Sequence, residues 1–267
     1  MNMIWIKVGL GVLSIVSISG IGIGVIISGA IANPWTSQVQ IIAQKLNQAM
    51  YGLGLPKTAG TGGSVRLKDD PAGFESSGGK FLPILALMVP EDGARTASDR
   101  PTVYWNMILP ESQDYKLTFF LQETAAADSK IILEQEITIT KGGLFKFQVP
   151  QSLSGNSNHR WGVKCKWLSG QEVTANGILA YTVLPPQIKI ALDAAKNNLE
   201  RARIYASNGY WYDALDAYTS WITANPQDTV AIQERGNVIN EAFKDRKGLD
   251  SKTFIAQVNA SPIQEFK

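Results

Sequence analysis

The sequence predicts a β-sandwich, followed by a helical extension and preceded by an apolar span, and three observations support this order. Between residues 81 and 185, short apolar runs with period-two alternation recur about every dozen positions between turn residues, which is typical of an immunoglobulin-like or fibronectin-like sandwich. After Pro185 and Pro186 the apolar period becomes helical and continues to residue 248. Residues 8–31 carry no charge.

Composition excludes several classes of function. Of the 267 residues, 45% are hydrophobic and 18% are charged, which is typical of a globular protein. The net charge is only +2 and the basic residues are scattered, so we expect no nucleic-acid partner. A single cysteine excludes an internal disulfide and a cysteine-cluster metal site, and a single histidine leaves little scope for histidine-based catalysis. We expect no cofactor.

The apolar span at residues 8–31 is longer than the roughly 20 residues that cross a bilayer as a helix. Lys7 precedes it, and Trp5 and Trp35 flank it, which matches a positive inner side with aromatic residues at both interfaces. We therefore predict an uncleaved signal anchor over residues 1–32, with the bulk of the chain in the periplasm or at the cell surface. The alternative is a signal peptide cleaved after Ala32 and a secreted protein.

Two segments connect this anchor to the sandwich. Residues 33–51 place apolar side chains at helical spacing and glutamines on the opposite side, which predicts an amphipathic helix. Residues 52–80 are rich in glycine and proline, which predicts a tether. The glycine run at residues 60–64 lacks the Gly-Lys-Ser/Thr ending of a phosphate-binding loop.

Seven strands are predicted in the sandwich, at residues 84–89, 102–109, 115–122, 131–140, 144–149, 160–168 and 178–183. In the sixth strand Trp161, Val163, Cys165 and Trp167 share one face, so this face is predicted to be core. Cys165 is then a small buried hydrophobic side chain, and the alternative is a reactive thiol. His159 falls in the polar loop before this strand, where we predict a solvated side chain.

Alternation identifies the inner faces of two further strands. The residues predicted to face inward are Tyr115, Leu117, Phe119, Leu121, Phe145, Phe147 and Val149. Phe120 is the exception, because it is apolar on the face predicted to be polar.

The loop between the first two strands, within residues 85–110, concentrates charge. Glu91, Asp92 and Asp99 supply the oxygens that calcium prefers, but their spacing does not fit an EF-hand. The run from Pro90 to Gly93 instead predicts a turn, with the glycine at positive φ.

In the same loop, Asp99 is expected to bond the backbone around Arg100 and Pro101. We also expect Arg95 and Arg100 to form surface ion pairs with the loop carboxylates, each contributing about 0.2–1 kcal/mol.

The helical segment is predicted to contain three helices. The first is a long helix that starts near Ile188 and is capped by Asn208 and Gly209, the second ends at Asn225, and the third covers residues 228–247. The first two resemble a single tetratricopeptide helix pair, which must bury its aromatic stripe against the sandwich. The polar residues 249–267 predict a mobile end.

Three blocks of residues, in order along the chain, are similar to a cyanobacterial family of domains of unknown function, numbered 928. The blocks comprise Leu87 to Pro90, Thr96, Asp99 to Thr102 and Tyr104; then Phe147 to Pro150, Arg160, Trp161 and Cys165; then Tyr205, Ala206, Gly209 and Trp211 to Leu215. We give the name structural signature to the residues of this chain that we expect to define its fold: Pro90, Asp92, Gly93, Asp99, Arg100, Pro101, Trp161, Cys165, Tyr205, Trp211 and Asp213. The resemblance implies an exported or cell-surface protein and no assigned reaction.

The resemblance also implies a second cysteine after the glycine-rich stretch, where this chain has Gly63 and Ser64. A disulfide to Cys165, typically worth about 2–4 kcal/mol, cannot form here, so stability must come from the aromatic core.

Three hypotheses for the function follow. The first is a non-enzymatic, membrane-anchored envelope module that binds a protein or glycan partner. The second is an envelope-polymer hydrolase that uses Glu91, Asp92 and Asp99, because glycoside hydrolysis needs paired carboxylates. The third is an oligomeric accessory for secretion or surface assembly.

Overall fold

The structure is a computed structural model that describes residues 5–8, 11–14, 51–53, 83–110, 113–167, 170, 172–243 and 251–266. The chain forms two compact units, Met1–Val39 and Gln40–Lys267. The predicted amphipathic helix and tether lie outside the described residues, apart from residues 51–53.

In the first unit, strand β1 (Trp5–Val8) pairs antiparallel with β2 (Gly11–Ser14). The sequence predicts a helix over residues 8–31, and the part of that span after Ser14 lies outside the described residues. β-Branched valine favours strands, so hydropathy alone does not separate a strand from a helix in so short a run. Among the described residues, the structure contains no helix with the length and hydropathy that a bilayer crossing requires.

The second unit contains a five-stranded sheet. Its strands are β4 (Ala94–Thr96), β6 (Tyr115–Gln122), β7 (Ile131–Ile139), β9 (Asn158–Trp167) and β10 (Glu172–Tyr181). They lie in the order β4-β10-β9-β6-β7, and all neighbours are antiparallel except β4 and β10.

The same unit contains a four-stranded sheet. Its strands are β3 (Ile84–Leu87), β5 (Thr102–Ile108), β8 (Gly143–Gln148) and β11 (Ile263–Glu265). The order is β11-β8-β5-β3, and only β11 runs parallel to its neighbour.

Aromatic side chains pack the two sheets face to face. The ring centroid of Phe119 on β6 lies 4.5 Å from that of Phe147 on β8 and 6.4 Å from that of Trp105 on β5. Such ring pairs contribute about 0.5–1.5 kcal/mol beyond the area they bury. The prediction of a mostly β domain followed by helices is confirmed, and all seven predicted strands are present. Strands β4 and β11 are additional, because three residues are too few to show a period.

The side chains predicted to face inward are buried or half-buried. Tyr115, Leu117, Phe119, Leu121, Trp161, Val163 and Cys165 are fully buried, Phe145, Phe147 and Val149 are also buried, and Trp167 is half-buried. Phe120 on the opposite face is buried as well, because its ring lies over Gly162, its register partner on β9. A Cβ at this glycine would collide with the Phe120 ring and the Ala175 carbonyl. The Lys164 ammonium lies 5.4 Å from the centroid of the same ring.

His159 differs from the prediction of a solvated loop side chain. Strand β9 already begins at Asn158, and His159 pairs in register with Leu179 on β10, so its side chain is buried. One ring nitrogen lies 2.7 Å from the Ser157 hydroxyl and the other 3.2 Å from the Gln122 carbonyl. These contacts satisfy both polar atoms of the buried ring.

Between β10 and β11, the described residues form five helices: α1 (Pro186–Ala194), α2 (Asn198–Ser207), α3 (Trp211–Ala224), α4 (Thr229–Phe243) and α5 (Ser251–Ala260). The predicted first long helix is therefore two helices. Asn197 caps α2 by accepting a hydrogen bond from the Glu200 N–H at 2.9 Å, and the Glu200 carboxylate accepts one from the Lys196 N–H at 2.8 Å. Gly209, at φ 74°, ends α2 as predicted.

Residues 251–266 differ from the predicted mobile end. They form α5 and β11, and Phe266 is buried with its ring centroid 5.2 Å from both Trp105 and Phe147. Tyr51, where the sequence predicts the end of an amphipathic helix, is buried 5.4 Å from the Trp211 ring. Gly52 next to it forms a bridge with Ala94. The predictions for these two segments came from the pattern of their polar residues, and that pattern does not reveal that Tyr51 and Phe266 are buried.

Candidate functional site

Helix α3 is fixed to the sheets by buried hydrogen bonds from its first turn. The Trp211 indole N–H donates to the Met88 carbonyl at 2.8 Å. The Trp161 indole N–H donates to the Tyr212 hydroxyl at 2.8 Å, and that hydroxyl donates to the Ile178 carbonyl at 3.1 Å. The first turn therefore has a defined position on the sandwich, and so does the next residue along the helix.

That next residue is Asp213. One oxygen of its carboxylate, Oδ2, accepts a hydrogen bond from the Ala97 N–H at 2.8 Å, and Thr96 donates to the same carboxylate through its side chain. Removal from water raises the pKa of Asp213 to about 6, although these hydrogen bonds act in the opposite direction. The carboxylate thus joins α3 to the connection between β4 and β5.

One helical turn later, Asp216 makes a second link to the sandwich. The Tyr104 hydroxyl donates to its Oδ1 at 2.6 Å, and Lys146 Nζ lies 3.2 Å from the same oxygen. Burial and the nearby Asp216 carboxylate raise the pKa of Tyr104 well above its usual value, so this phenol is a neutral donor at physiological pH. The charge of Asp216 is therefore balanced within the protein.

A polar cleft of about 240 Å³ opens between α2, α3 and the end of the four-stranded sheet. We call it the Asp213 cleft. Its lining residues are Ser98, Arg100, Thr102, Gln148, Asn198, Arg201, Tyr205, Tyr212, Asp213, Asp216, Ala217 and Ser220.

Two arginines bring positive charge to this cleft. Arg201 Nη1 donates to the Leu192 carbonyl at 3.2 Å, and the same guanidinium hydrogen-bonds Tyr205. Arg100 is exposed, and its backbone N–H donates to the Ser98 hydroxyl at 3.1 Å. Within the described residues, neither guanidinium forms an ion pair with a carboxylate.

The structure brings three signature residues, Arg100, Tyr205 and Asp213, together at the cleft, although they come from separate parts of the sequence. Pro101 is buried directly beside Arg100, at the start of β5. Asp99 is exposed outside the lining and accepts a hydrogen bond from the Ser152 hydroxyl at 2.6 Å.

The turn from Pro90 to Gly93, which belongs to the structural signature, lies outside the Asp213 cleft. The Gly93 N–H donates to the Pro90 carbonyl at 2.9 Å, and Gly93 has φ 84°, a conformation that favours glycine. A Cβ at this position would also collide with Ile178 and Leu53. Asp92 packs beside Gly52. Neither Asp92 nor Glu91 lines the cleft.

The remaining signature residues are buried away from the cleft lining. Trp161 and Trp211 are fully buried and hold α3 in place through the hydrogen bonds given above. Cys165 is also fully buried, and desolvation raises the pKa of its thiol to about 12, which disfavours the reactive thiolate. In the described ranges, no group of three or more His, Cys, Asp and Glu side chains is placed to hold a metal ion.

The model of the family described as Domain of Unknown Function (DUF928) matches residues 63–245, which is more than half of the chain. The chain belongs to the DUF928 family. The part matched to DUF928 includes every residue that lines the Asp213 cleft. Sequence reasoning did not identify Arg201 or Asp216 as cleft residues, although Asp216 lies one helical turn after the signature residue Asp213 and could have been found by that spacing.

Two solved structures show weak similarity to this DUF928 chain. A family 76 glycoside hydrolase from a bovine Bacteroides thetaiotaomicron strain is 8% identical, with a TM-score of 0.26 over 40% of this chain and 22% of that chain. The periplasmic chaperone SfaE is 13% identical, with a TM-score of 0.26 over 39% of this chain and 60% of that chain. At these scores neither likeness bears on fold or function. No curated protein matches the chain.

Proposed function

We propose that this DUF928 protein is a non-enzymatic binding module of the cell envelope, and that its Asp213 cleft takes a group of a protein or glycan partner. The observation that carries the proposal is a polar cleft at the junction of sheets and helices, with two arginines that form no ion pair with a carboxylate of the described residues. Polar groups that converge in a concave site are the usual basis of ligand orientation and specificity.

The two carboxylates in the cleft support binding over hydrolysis. Glycoside hydrolysis needs one carboxylic acid and one free carboxylate that flank the substrate. Asp213 is held by Ala97 and Thr96, and Asp216 by Tyr104 and Lys146, so both are engaged in joining α3 to the sandwich. We therefore assign both carboxylates a positional role.

The proposal extends to fold type and origin. We assign the two-sheet domain to the immunoglobulin-like class and the α2–α3 pair to a tetratricopeptide-like unit, within a family of cyanobacterial proteins. Support for the helix pair comes from its aromatic stripe, because Trp211, Leu215 and Tyr218 are all buried, as a lone pair without further repeats requires.

The proposed location is extracytoplasmic, with residues 1–32 as a membrane anchor. Support comes from the uncharged run at residues 8–31, with Lys7 on its inner side. The test is N-terminal sequencing of the protein isolated from cells. An intact start at Met1 in the membrane fraction supports the anchor, whereas a start at Asn33 in the soluble fraction contradicts it in favour of secretion.

The binding role is tested by capture of envelope components on the immobilised full-length chain, followed by mass spectrometry and sugar analysis. The decisive comparison is between Arg100→Ala and a matched control, Lys141→Ala. Lys141 is exposed just before β8 begins, and the strand itself extends roughly 17 Å from there to the cleft residue Gln148. A component lost with Arg100→Ala and retained with Lys141→Ala supports the proposal, and equal recovery with both variants contradicts it.

The hydrolase hypothesis is tested in parallel. Envelope polysaccharide is incubated with the full-length chain and with a chain carrying Glu91→Gln, Asp92→Asn and Asp99→Asn. Release of reducing ends that the triple substitution abolishes would overturn the non-enzymatic assignment.

A further inference from the structure

The size and lining of the Asp213 cleft restrict the ligand. Its volume of about 240 Å³ is below the ~300–1,000 Å³ of pockets that enclose drug-sized apolar molecules. A site of this size suits a small ligand group such as one sugar ring.

Several uncharged polar groups in the cleft have no hydrogen-bond partner among the residues that the structure describes. The side-chain amides of Gln148 and Asn198 and the hydroxyl of Ser220 make no hydrogen bond to any described residue. Amides and hydroxyls both donate and accept, so together they match the vicinal hydroxyls of a sugar. The half-buried ring of Tyr205 supplies an adjoining apolar surface.

The charge in the cleft favours a single negative group. Asp216 is neutralised by Lys146 at 3.2 Å, and Asp213 is held by hydrogen bonds from uncharged groups. Arg100 and Arg201 line the cleft, and Lys146 lies beside it on Asp216, so three cations stand against two carboxylates and leave one net positive charge. A monoanion matches this charge, whereas a dianionic phosphate exceeds it.

We propose that the Asp213 cleft binds one acidic sugar unit, with the sugar carboxylate on Arg100 and Arg201 and the ring hydroxyls on Gln148, Asn198 and Ser220. A planar guanidinium binds a carboxylate through two parallel hydrogen bonds, which gives both affinity and orientation. This inference rests on the proposed binding role of the cleft and names the ligand class that the role requires.

The test is isothermal titration calorimetry of the full-length chain in detergent micelles at pH 7. Three probes of equal length are compared: a uronic-acid trisaccharide, its neutral analogue with a primary alcohol in place of each carboxylate, and that analogue with a sulfate ester on each alcohol. We expect binding of the uronic-acid probe, at least tenfold weaker binding by Arg100→Ala, an intermediate loss by Arg100→Lys, and no change by Lys141→Ala.

The outcomes separate this inference from the proposed function. Equal binding of the neutral probe, or tighter binding of the sulfated one, overturns the carboxylate assignment and leaves a glycan-binding cleft. Absence of binding by all three probes overturns the inference, while the capture experiment independently decides the binding role. Equal affinities of Arg100→Ala and the unsubstituted chain for the uronic-acid probe place its site elsewhere and also overturn the inference.

Discussion

Tyr212 shows how much a single side chain contributes at the junction of helices and sheets. Its hydroxyl accepts from the Trp161 indole and donates to the Ile178 carbonyl, and all three groups are buried. Inside a protein an unsatisfied polar group costs more than a hydrogen bond gains. One phenol therefore satisfies two polar groups of the five-stranded sheet.

Tyr212→Phe is expected to lower the free energy of unfolding by about 1–3 kcal/mol, because it leaves the buried Trp161 N–H without its acceptor. Urea denaturation measures the change. The matched control is Tyr181→Phe, which removes a half-buried hydroxyl that has no hydrogen bond to a described residue. Equal stabilities of the two variants would contradict the role of Tyr212.

The pKa of Asp213 gives a pH dependence. Because desolvation raises this pKa to about 6 in the folded protein, the native state binds the proton more tightly than the unfolded state between about pH 4 and 6. Its contribution therefore makes the free energy of unfolding fall as the pH rises through this window. The titratable groups that interact with this carboxyl are Asp216 on α3, Tyr205 on α2 and Tyr210 just before α3, and the cleft lining also contains Arg100 and Arg201.

Asp213→Asn is expected to remove this contribution and to flatten the stability profile between about pH 4 and 6. Urea denaturation at a series of pH values measures it. Asp128→Asn, at an exposed turn, serves as the control and should follow the unsubstituted profile. A variant profile at Asp213 that runs parallel to the unsubstituted one would show that this carboxyl has an ordinary pKa.

At the level of elements, β11 completes the four-stranded sheet. Only three residues pair with β8, but Phe266 next to them packs against Trp105 and Phe147 in the core. Burial of one aromatic ring contributes more than three exposed ladder positions, so the ring determines whether this strand stays in place.

Phe266→Ala is expected to lower the free energy of unfolding by about 3–5 kcal/mol, which is the usual cost of deleting a buried aromatic side chain. Chemical denaturation followed by tryptophan fluorescence measures the loss. Ile263→Ala in the same strand is the control, because 38% of the Ile263 side chain is exposed, and it should cost less than about 0.5 kcal/mol. If residues 263–266 were mobile, neither substitution would change the free energy of unfolding, and that result would contradict the prediction.

The elements that periodicity predicted correctly are those with several alternating residues. Strand β6 and strand β9 have clean alternation, and their inner faces are buried as expected. The break before α2 was missed because the apolar stripe continues across it, although the Asn197 to Glu200 spacing is a capping signal. Strand β4 could not be predicted, because its pairing depends on β10, more than eighty residues later.

The site was less predictable than the fold. Arg100 and Asp213 belong to separate parts of the sequence, and only the packing of α3 on the sandwich brings them together. No local pattern marks Arg201, because its role depends on the position of α2 relative to β8. His159 was misplaced for the same reason, since its burial depends on β10 rather than on its polar neighbours.

For the whole molecule, the helices and the sandwich are expected to unfold together. Residues 40–267 form one compact unit. Trp211 contacts Tyr51 and Phe243, and it also bonds the Met88 carbonyl, so a single residue joins the sheets to α4. Unfolding of either the sheets or the helices would break these Trp211 contacts, so we expect one cooperative transition.

Differential scanning calorimetry of the full-length chain should therefore show one transition for this unit, with equal calorimetric and van't Hoff enthalpies. Trp211→Ala is expected to lower its midpoint. Two resolved transitions in the unsubstituted chain, one of them lost when α1 to α5 are deleted, would contradict a single cooperative unit.

The position of Phe266 has a consequence for the order in which the protein can be built. Trp105 and Phe147 leave the ribosome long before residue 266 is synthesised, and until then their rings lack the contact that closes this edge of the core. In a chain released or cleaved before this point, strand β8 lacks its β11 partner, and the rings of Trp105 and Phe147 lack their contact with Phe266. Strand edges without a partner pair with other chains. The nascent protein therefore has a period of risk for aggregation, which ends only when β11 takes its place.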